Sequence, residues 1–288
     1  RQSGAGGSQV EYRSASGRAH TGLVGWAASS PLDIPNMANS SNRVTAAVLI
    51  IGNEILSGRT QDTNLAYLAK KLNEYGIQIR EARVVPDIEG EIVDAVNALR
   101  ARFDYVFTTG GIGPTHDDIT AECIAKAFGV PLVINDEIAE ILRRRPSPPE
   151  IMEARMRMAR IPEGGGLIRN PFGPHGFYID NVYVMAGIPR VMQAMIDALQ
   201  GQLRRGETIQ SRSVTAYLSE GQIAKRLGDI QAGYPHIDLG SYPFYRSDRY
   251  GTILVMRGSV EADLDIMLEQ VKQMIVDFGE TPADIERG

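Results

Sequence analysis

The 288 residues, 43% hydrophobic and 23% charged, suffice for a full hydrophobic core plus a second small domain, with the composition of an ordinary soluble globular protein. A formal net charge of −5 argues against a general binder of nucleic acid or of membrane surfaces. No run approaches the roughly 18 uninterrupted apolar residues of a membrane-spanning helix.

Residues 1–36 are rich in Gly and Ser, carry Arg1, Arg13 and Arg18 against Glu11 and Asp33, and show no sustained period. They are expected to be a flexible leader or a non-native extension outside the fold. From Thr45 strand and helix alternate. Ala46–Ile51 reads as a buried strand ending at Gly52. Leu65, Leu68, Ala69 and Leu72 mark one helix face, with Asp62 or Thr63 as cap and Gly76 as stop. Ile77–Val85 is the next strand. The stripe Ile88, Ile92, Ala95, Val96 and Leu99 is a helix capped by Asp87. Phe103–Thr109 is a third strand and Thr120–Phe128 its helix, with the one cysteine, Cys123, on the apolar face. A lone cysteine excludes an intrachain disulfide and a thiolate metal cluster; this one reads as a core thiol, in keeping with a cytoplasmic protein.

A short strand at Pro131–Ile134 and a helix from Ile138 precede the proline cluster Pro146, Pro148 and Pro149, after which a Met- and Arg-rich helix covers about Glu150 to Arg160. Pro162 to Phe177 is dense in Gly and Pro and reads as an irregular loop between domains, long enough to be a ligand lid. Its His175 is expected to be a solvated loop histidine, with an acid, base or phosphate role as the alternative. Strand Val182–Met185 and a helix holding Met192, Met195, Ile196 and Leu199 complete the pattern. Repeated βα units imply an α/β fold, a mostly parallel sheet covered by helices on both faces. Beyond a boundary at Arg204–Gln210 the order is β-α-β-β-α (Ser213–Leu218, Glu220–Ala232, Ile237–Tyr242, Thr252–Arg257, Glu261–Phe278), a small α+β domain. The domains are therefore 44–205 and 207–288.

The chemistry concentrates in Tyr105 to Thr120, Y-V-F-T-T-G-G-I-G-P-T-H-D-D-I-T. A buried strand breaks into Gly110, Gly111 and Gly113, Pro114 follows, and a helix begins just past Asp117 and Asp118. Strand, glycine turn and helix start let backbone N–H groups close around a phosphate. Two bare carboxylates repel phosphate, and a divalent cation held between them and phosphate oxygens reconciles the two. The rival reading, a glycine turn with an Asp helix cap, accounts for one Asp and not two. Ligands of open parallel sheets bind at the carboxyl ends of the strands. There this chain puts Gly52-Asn53-Glu54, Ser57-Gly58 and Asp62-Thr63-Asn64, then Pro86-Asp87, Gly110 to Asp118, and Gly187-Ile188-Pro189. These loops are expected to converge on one pocket.

The segments Gly52 to Gly58 with Asp62-Thr63-Asn64, Thr109 to Thr115 with Asp117, Asp118 and Thr120, Pro162-Glu163-Gly164, Asn170-Pro171 with Gly176-Phe177, and Gly187-Ile188-Pro189 resemble the molybdopterin-binding (MoaB/Mog) superfamily. Within it they resemble the amino-terminal domain of the competence/damage-inducible protein A (CinA) branch. The resemblance runs from Thr45 to Leu203. It implies a MoaB/Mog-like three-layer α/β/α sandwich that binds a nucleotide- or pterin-type phosphate ligand.

In the CinA branch, and in the related domain of some FAD synthases, it implies metal-dependent hydrolysis of a nucleotide pyrophosphate such as ADP-ribose or FAD. In the Mog branch it implies molybdopterin binding and adenylylation in molybdenum cofactor biosynthesis. Carried onto this chain, Asp117 and Asp118 become ligands of Mg, Mn or Co, and Glu54 or Asp87 a further ligand or the base. Gly52, Asn53, Asn64, Thr109, Gly110, Gly111, Gly113, Pro114, Thr115, Asn170, Gly187 and Pro189 become ligand contacts. Two departures stand out. The family's Pro-Gly-Val-Pro-Ser-Glu-Met is Ala186-Gly187-Ile188-Pro189-Arg190-Val191-Met192 here, losing a Glu, and its Ala-Pro-Gly-Phe is Pro174-His175-Gly176-Phe177. The stretch to Gly288 holds no counterpart of the deamidase domain that follows in full-length CinA, so amidohydrolase activity is not carried over. The family also implies a homo-oligomer. A dimer is expected before a trimer because the small second domain buries little surface alone and presents edge strands that need covering; Phe244, Tyr245 and Tyr250 are the candidate contact residues, with packing inside their own domain as the alternative.

Overall fold

The computed structural model describes residues 43–246 and 248–288; the expectation for residues 1–36 lies outside them. The elements, in chain order, are β1 (Val44–Ile51), α1 (Asn53–Leu56), α2 (Asn64–Glu74), β2 (Ile77–Val85), α3 (Glu89–Arg100), β3 (Tyr105–Thr109) and α4 (Thr120–Phe128). They continue with β4 (Leu132–Ile134), α5 (Asp136–Arg143), α6 (Pro149–Met156), β5 (Arg160–Pro162), β6 (Gly166–Ile168), β7 (Gly176–Ile179), β8 (Val182–Met185) and α7 (Pro189–Ala198). The last are β9 (Gln210–Ala216), α8 (Glu220–Ala232), β10 (Asp238–Arg246), β11 (Arg249–Gly258), α9 (Glu261–Asp277) and β12 (Ala283–Arg287). Among the described residues no helix is long and apolar enough to cross a membrane.

A six-stranded sheet has the order β2-β1-β3-β8-β7-β6. Its first four strands are parallel, and β7 and β6 add antiparallel to them. β1 lies inside this sheet, which is why it reads as an unbroken apolar run. Its Val44, Ala46, Val48 and Ile50 pack with Leu68 and Leu72 of α2 and Met192, Met195 and Ile196 of α7. Ala47, Leu49 and Ile51 pack on the other side with α3, α4 and α5. The result is an α/β/α sandwich with one core on each face. Burial pushes the Cys123 thiol up to about 12, so it is an inert core group.

Two expectations are corrected. Pro162 to Phe177 is not an irregular loop: it holds β6 and β7, a hairpin that extends the main sheet. Strands of three and four residues that each start on glycine carry too little pattern to be read. The Met- and Arg-rich helix stops at Met156, and after one turn of 3₁₀ helix the chain forms β5, which pairs with β4.

The second region is a four-stranded sheet, β10-β11-β9-β12, with α8 and α9 packed on one face around Val214, Leu254, Met256 and Leu268. Its last strand escapes sequence reading because Ala283–Arg287 is short and mostly exposed. Of the three aromatics expected at an assembly contact, Phe244 packs edge-on against Tyr217 of its own region. Tyr245 and Tyr250 touch each other and are 58% and 73% exposed.

Candidate functional site

Because β1, β2, β3 and β8 are parallel, their carboxyl ends share one edge, and backbone bonds bind those ends together. The Gly52 N–H donates to the Val85 carbonyl and the Gly110 N–H to the Met185 carbonyl, both at 3.2 Å. Gly110 has φ +106°, and a β-carbon there would collide with the Ile51 carbonyl oxygen. Only glycine fits the joint between β3 and β1. The Thr120 hydroxyl, fully buried, donates to the Gly110 carbonyl at 3.0 Å, and its N–H to the Gly111 carbonyl at 3.0 Å. The loop from Gly110 to Thr120 is thus pinned at both ends.

These bonds correct two roles. The N–H groups of Gly52 and Gly110 are engaged with neighbouring strands and are not free for a phosphate. Those of Gly111, Ile112 and Gly113 lie outside the backbone bonds of the loop among the described residues, and they form the available part of the cradle.

The carboxylates have distinct surroundings. Asp87 is not the cap of α3, whose first turn has no side-chain cap. Its Oδ2 instead accepts from the Asn53 N–H at 2.9 Å, joining the loop after β2 to the loop after β1. Asp118 Oδ2 accepts from the Thr115 N–H at 2.8 Å and from the Thr115 hydroxyl, which leaves its Oδ1 out of these bonds. Neither Asp117 nor Asp118 caps α4, whose first turn also has no side-chain cap, so the cap reading has no support. The Asp117 side chain is 59% exposed beside His116. The Thr115 hydroxyl, then Asp117's own backbone N–H, hold this carboxyl below its ordinary range. Since that hydroxyl bonds to Asp118, it acts on Asp117 as a neighbouring dipole. Glu54 is exposed and folds back over the Cα of Gly52. Thr109 is buried at the end of β3, while Pro114 is exposed on its loop and Pro189 is exposed at the first position of α7.

Asn64, 4% exposed, donates from Nδ2 to the Gly187 carbonyl at 2.8 Å. A carbonyl can only accept, so the amide orientation is set and Oδ1 points the other way. That Oδ1 is buried without a partner among the described residues. Such an atom costs about 1–3 kcal/mol unless something donates to it, and a ligand hydroxyl or ring N–H would do so. By contrast Asn170, expected to touch ligand, has both ends of its amide engaged within its own loop. Nδ2 donates to the Pro174 carbonyl at 2.9 Å, and Oδ1 accepts from the Phe172 N–H at 3.0 Å.

His175 is likewise no solvated histidine: its side chain is 9% exposed. Its Nδ1 accepts from the Asn170 N–H at 3.0 Å, so the neutral ring carries its proton on Nε2, which faces Glu137 at 3.4 Å. Burial, then the Arg169 charge, push its pKa down. Sequence reasoning also missed an apolar rim. Leu56 at the end of α1, and Ile88 and Ile188 just ahead of α3 and α7, are exposed large apolar side chains in the connections after β1, β2 and β8. Their signal was three hydrophobes in otherwise polar loops at one sheet edge, suited to the face of a ring.

No group of three His, Cys, Asp or Glu side chains forms a metal cage among the described residues. The donors present are hard carboxylate oxygens, Asp117 and Asp118 on the loop after β3 and Asp87 on the loop after β2. They suit a magnesium-type ion held by one or two carboxylates together with substrate phosphates, not an all-protein cage.

Comparison with known proteins agrees with this geometry. Residues 47–205 match the "Probable molybdopterin binding domain" family and residues 208–279 match "FAD synthase, middle domain". A protein of Archaeoglobus fulgidus is 34% identical over 68% of this chain and 84% of its own length. A "Probable FAD synthase" of Caenorhabditis elegans is 30% identical over 81% of this chain, which spans half the length of that relative. The crystal structure of the protein CinA, of unknown function, from Thermoplasma acidophilum is 34% identical. It covers 56% of this chain and 99% of its own, with a TM-score of 0.51. The chain belongs to the molybdopterin-binding domain family, in its CinA-like branch, joined to a domain like the middle domain of FAD synthase.

Proposed function

We propose that the chain hydrolyses the pyrophosphate bond of a nucleoside diphosphate derivative, ADP-ribose before FAD, with the help of Mg, Mn or Co. The observation that carries this reading is the pairing of two groups at one sheet edge: the carboxyl groups of Asp87, Asp117 and Asp118, and the uncommitted N–H groups of Gly111, Ile112 and Gly113. A simple phosphate cradle gains nothing from carboxylates.

In this reading the three N–H groups donate to the phosphate oxygens and stabilise the charge that grows during attack. Asp117 and the open oxygen of Asp118 hold the divalent cation, which offsets the phosphate charge against them. Glu54 or Asp87 takes the proton of the attacking water. Asn64 Oδ1 accepts from a hydroxyl or ring N–H of the ligand and sets its register. The similarity to FAD synthase supports a substrate of the nucleotide class.

A second reading is a module that binds molybdopterin or a nucleotide without cleaving it, or that transfers an adenylyl group. It is favoured by the engagement of Asp87 and Asp118 in loop bonds and by Val191 where the resemblance has Glu. One experiment separates the two. The full chain is assayed on ADP-ribose, FAD and ATP with each metal, beside Asp117→Asn, and calorimetry is run on the same ligands and molybdopterin. Turnover by the wild type that Asp117→Asn loses supports hydrolysis. Binding without turnover selects the module, and neither binding nor turnover rejects both.

A further inference from the structure

Next to the edge that carries the glycine cradle lies a cleft of about 360 Å³, which the reading above does not use. It opens between the end of α5, the last turn of α6 and the 169–175 loop. Arg144, Arg145, Arg155 and Phe172 line it, and no carboxylate does. Arg144 is offset by Glu140 at 3.1 Å, and nearby Arg169 pairs with Glu137. Arg145, Arg155 and Arg190 take part in none of the ion pairs among the described residues.

Arg155 is held rigidly, donating to the Arg145 carbonyl and the Ser147 hydroxyl at 2.7 Å and to the Leu142 carbonyl at 2.9 Å. Those partners fix its position and also cover the carbonyl end of α5, but none cancels its charge. In a chain of net charge −5, a cleft whose only charged wall groups are cations selects an anion.

The cleft also offers a ring. Phe172 is 48% exposed, yet its loop is fixed by the Asn170 and His175 bonds. The Arg190 guanidinium stacks on that ring at 4.5 Å. An exposed aromatic on a rigid loop beside unneutralised guanidinium groups recognises a planar base joined to a phosphate. Cleft and cradle also share one edge of the sheet. β7 runs antiparallel to β8 with Phe177 opposite Val184, so the 169–175 loop emerges at the edge where β8 ends. Arg190 lies in the first turn of α7, just after Gly187, whose carbonyl holds Asn64.

We infer that this cleft is a second binding site that takes the nucleoside monophosphate half of a dinucleotide whose pyrophosphate lies on the cradle. The placement of that second half rests on the hydrolase reading; the affinity of the cleft for a nucleoside monophosphate does not.

Calorimetry with AMP and ADP-ribose on the full chain tests it, using wild type, Arg145→Glu and Phe172→Ala. Both side chains are exposed, and the Arg145 backbone carbonyl that holds Arg155 is retained, so melting temperatures should match wild type. Phe172→Ala stands in if the charge reversal disturbs the fold. The expected result is that each variant weakens both ligands by tenfold or more. Binding of AMP unchanged in both variants would place it on the cradle and overturn the cleft site, even if ADP-ribose is turned over. No AMP binding to wild type at millimolar concentration would also overturn it. Loss of AMP binding in the variants, with no turnover of ADP-ribose by wild type, would sustain the cleft and reject hydrolysis.

Discussion

In the six-stranded sheet four parallel strands end side by side and send their loops to one edge, whereas in the four-stranded sheet neighbours turn back at alternate ends and no edge collects the loops. The polar groups follow suit. All five buried side-chain polar atoms without a partner among the described residues (on Asn64, Tyr75, Thr108, Arg157 and Asn181) belong to the first region. The second region satisfies its own. Arg212, 2% exposed, is paired with Glu261 at 2.9 Å and Asp265 at 2.8 Å. Ser219 and Gln222 close a capping box on α8, and the Thr252 hydroxyl donates to the Leu218 carbonyl. Buried polar groups are normally all paired. Of the five, only the Asn64 oxygen belongs to a side chain bonded to a loop of the candidate site, and that atom is the one a ligand donor would complete; among the described residues the second region leaves none and reads as the structural partner.

One substitution should act with opposite sign in the two regions. Gly110→Ala forces a side chain onto φ +106° and into the Ile51 carbonyl. Strain of this kind costs on the order of 3 kcal/mol, so Tm should fall by roughly 6–12 °C and ligand binding should be lost. Gly228→Ala on α8 meets open space and replaces a helical glycine, so it should stabilise by about 0.5–1 kcal/mol. Thermal melts of both variants decide it: equal shifts would mean that the joint between β3 and β1 is softer than its geometry implies.

Charge removal should divide the regions next. Asp117→Asn should lower turnover by about 100-fold or more, the scale of losing one electrostatic contact to a transition state. Its stability should stay within about 0.5 kcal/mol, as for an exposed loop position. Arg212→Ala should do the reverse, lowering stability by about 1–3 kcal/mol with turnover unchanged. Its partners are more exposed than Arg212 itself, so they regain water and the cost stays below that of a fully buried pair. Circular dichroism melts beside the ADP-ribose assay separate the two effects. A stable, inactive Arg212→Ala would show that the second region reaches the chemistry.

The same contrast decides what could be read from the sequence. β1, β3 and β8 are visible as apolar runs because both their faces are buried, and α4 starts and stops where its periodicity does. β6, β7 and β12 are short, glycine-led or polar, and only pairing with distant strands makes them strands. At the site, the three glycines and two aspartates between β3 and α4 were legible as one loop at the carboxyl edge of the sheet. The role of Asp87 was not. An Asp ahead of an apolar helical stripe has the signature of a cap, and its true partner, the Asn53 N–H, lies 34 positions away in sequence. Nor could periodicity show that the Gly110 N–H faces Met185, or that Arg145 and Phe172 share one cleft.

The smallest effect expected concerns pH, and it tests whether the 169–175 loop belongs with the rigid or the adaptable part of the first region. His175 is buried, and its pKa lies below the ordinary 6.5 because burial, and then the charge of Arg169, disfavour the imidazolium. Glu137 at 3.4 Å works the other way, but its carboxylate is already paired with Arg169. A group whose folded pKa is depressed takes up its proton first in the unfolded chain. Stability from this histidine is therefore full above about pH 6.5 and falls as pH drops from there to the lowered folded pKa. Protonation would also turn Nδ1 into a donor facing the Asn170 N–H, removing the bond that closes the loop. Melting wild type and His175→Asn at about pH 7.5 and 5.5 measures the difference, because the variant lacks the titrating group. Wild type should lose more Tm than the variant over that interval, and ADP-ribose affinity should fall with it if Phe172 is presented by this loop. Identical pH slopes in the two proteins would mean that the histidine stays neutral in both states or that the loop holds without it.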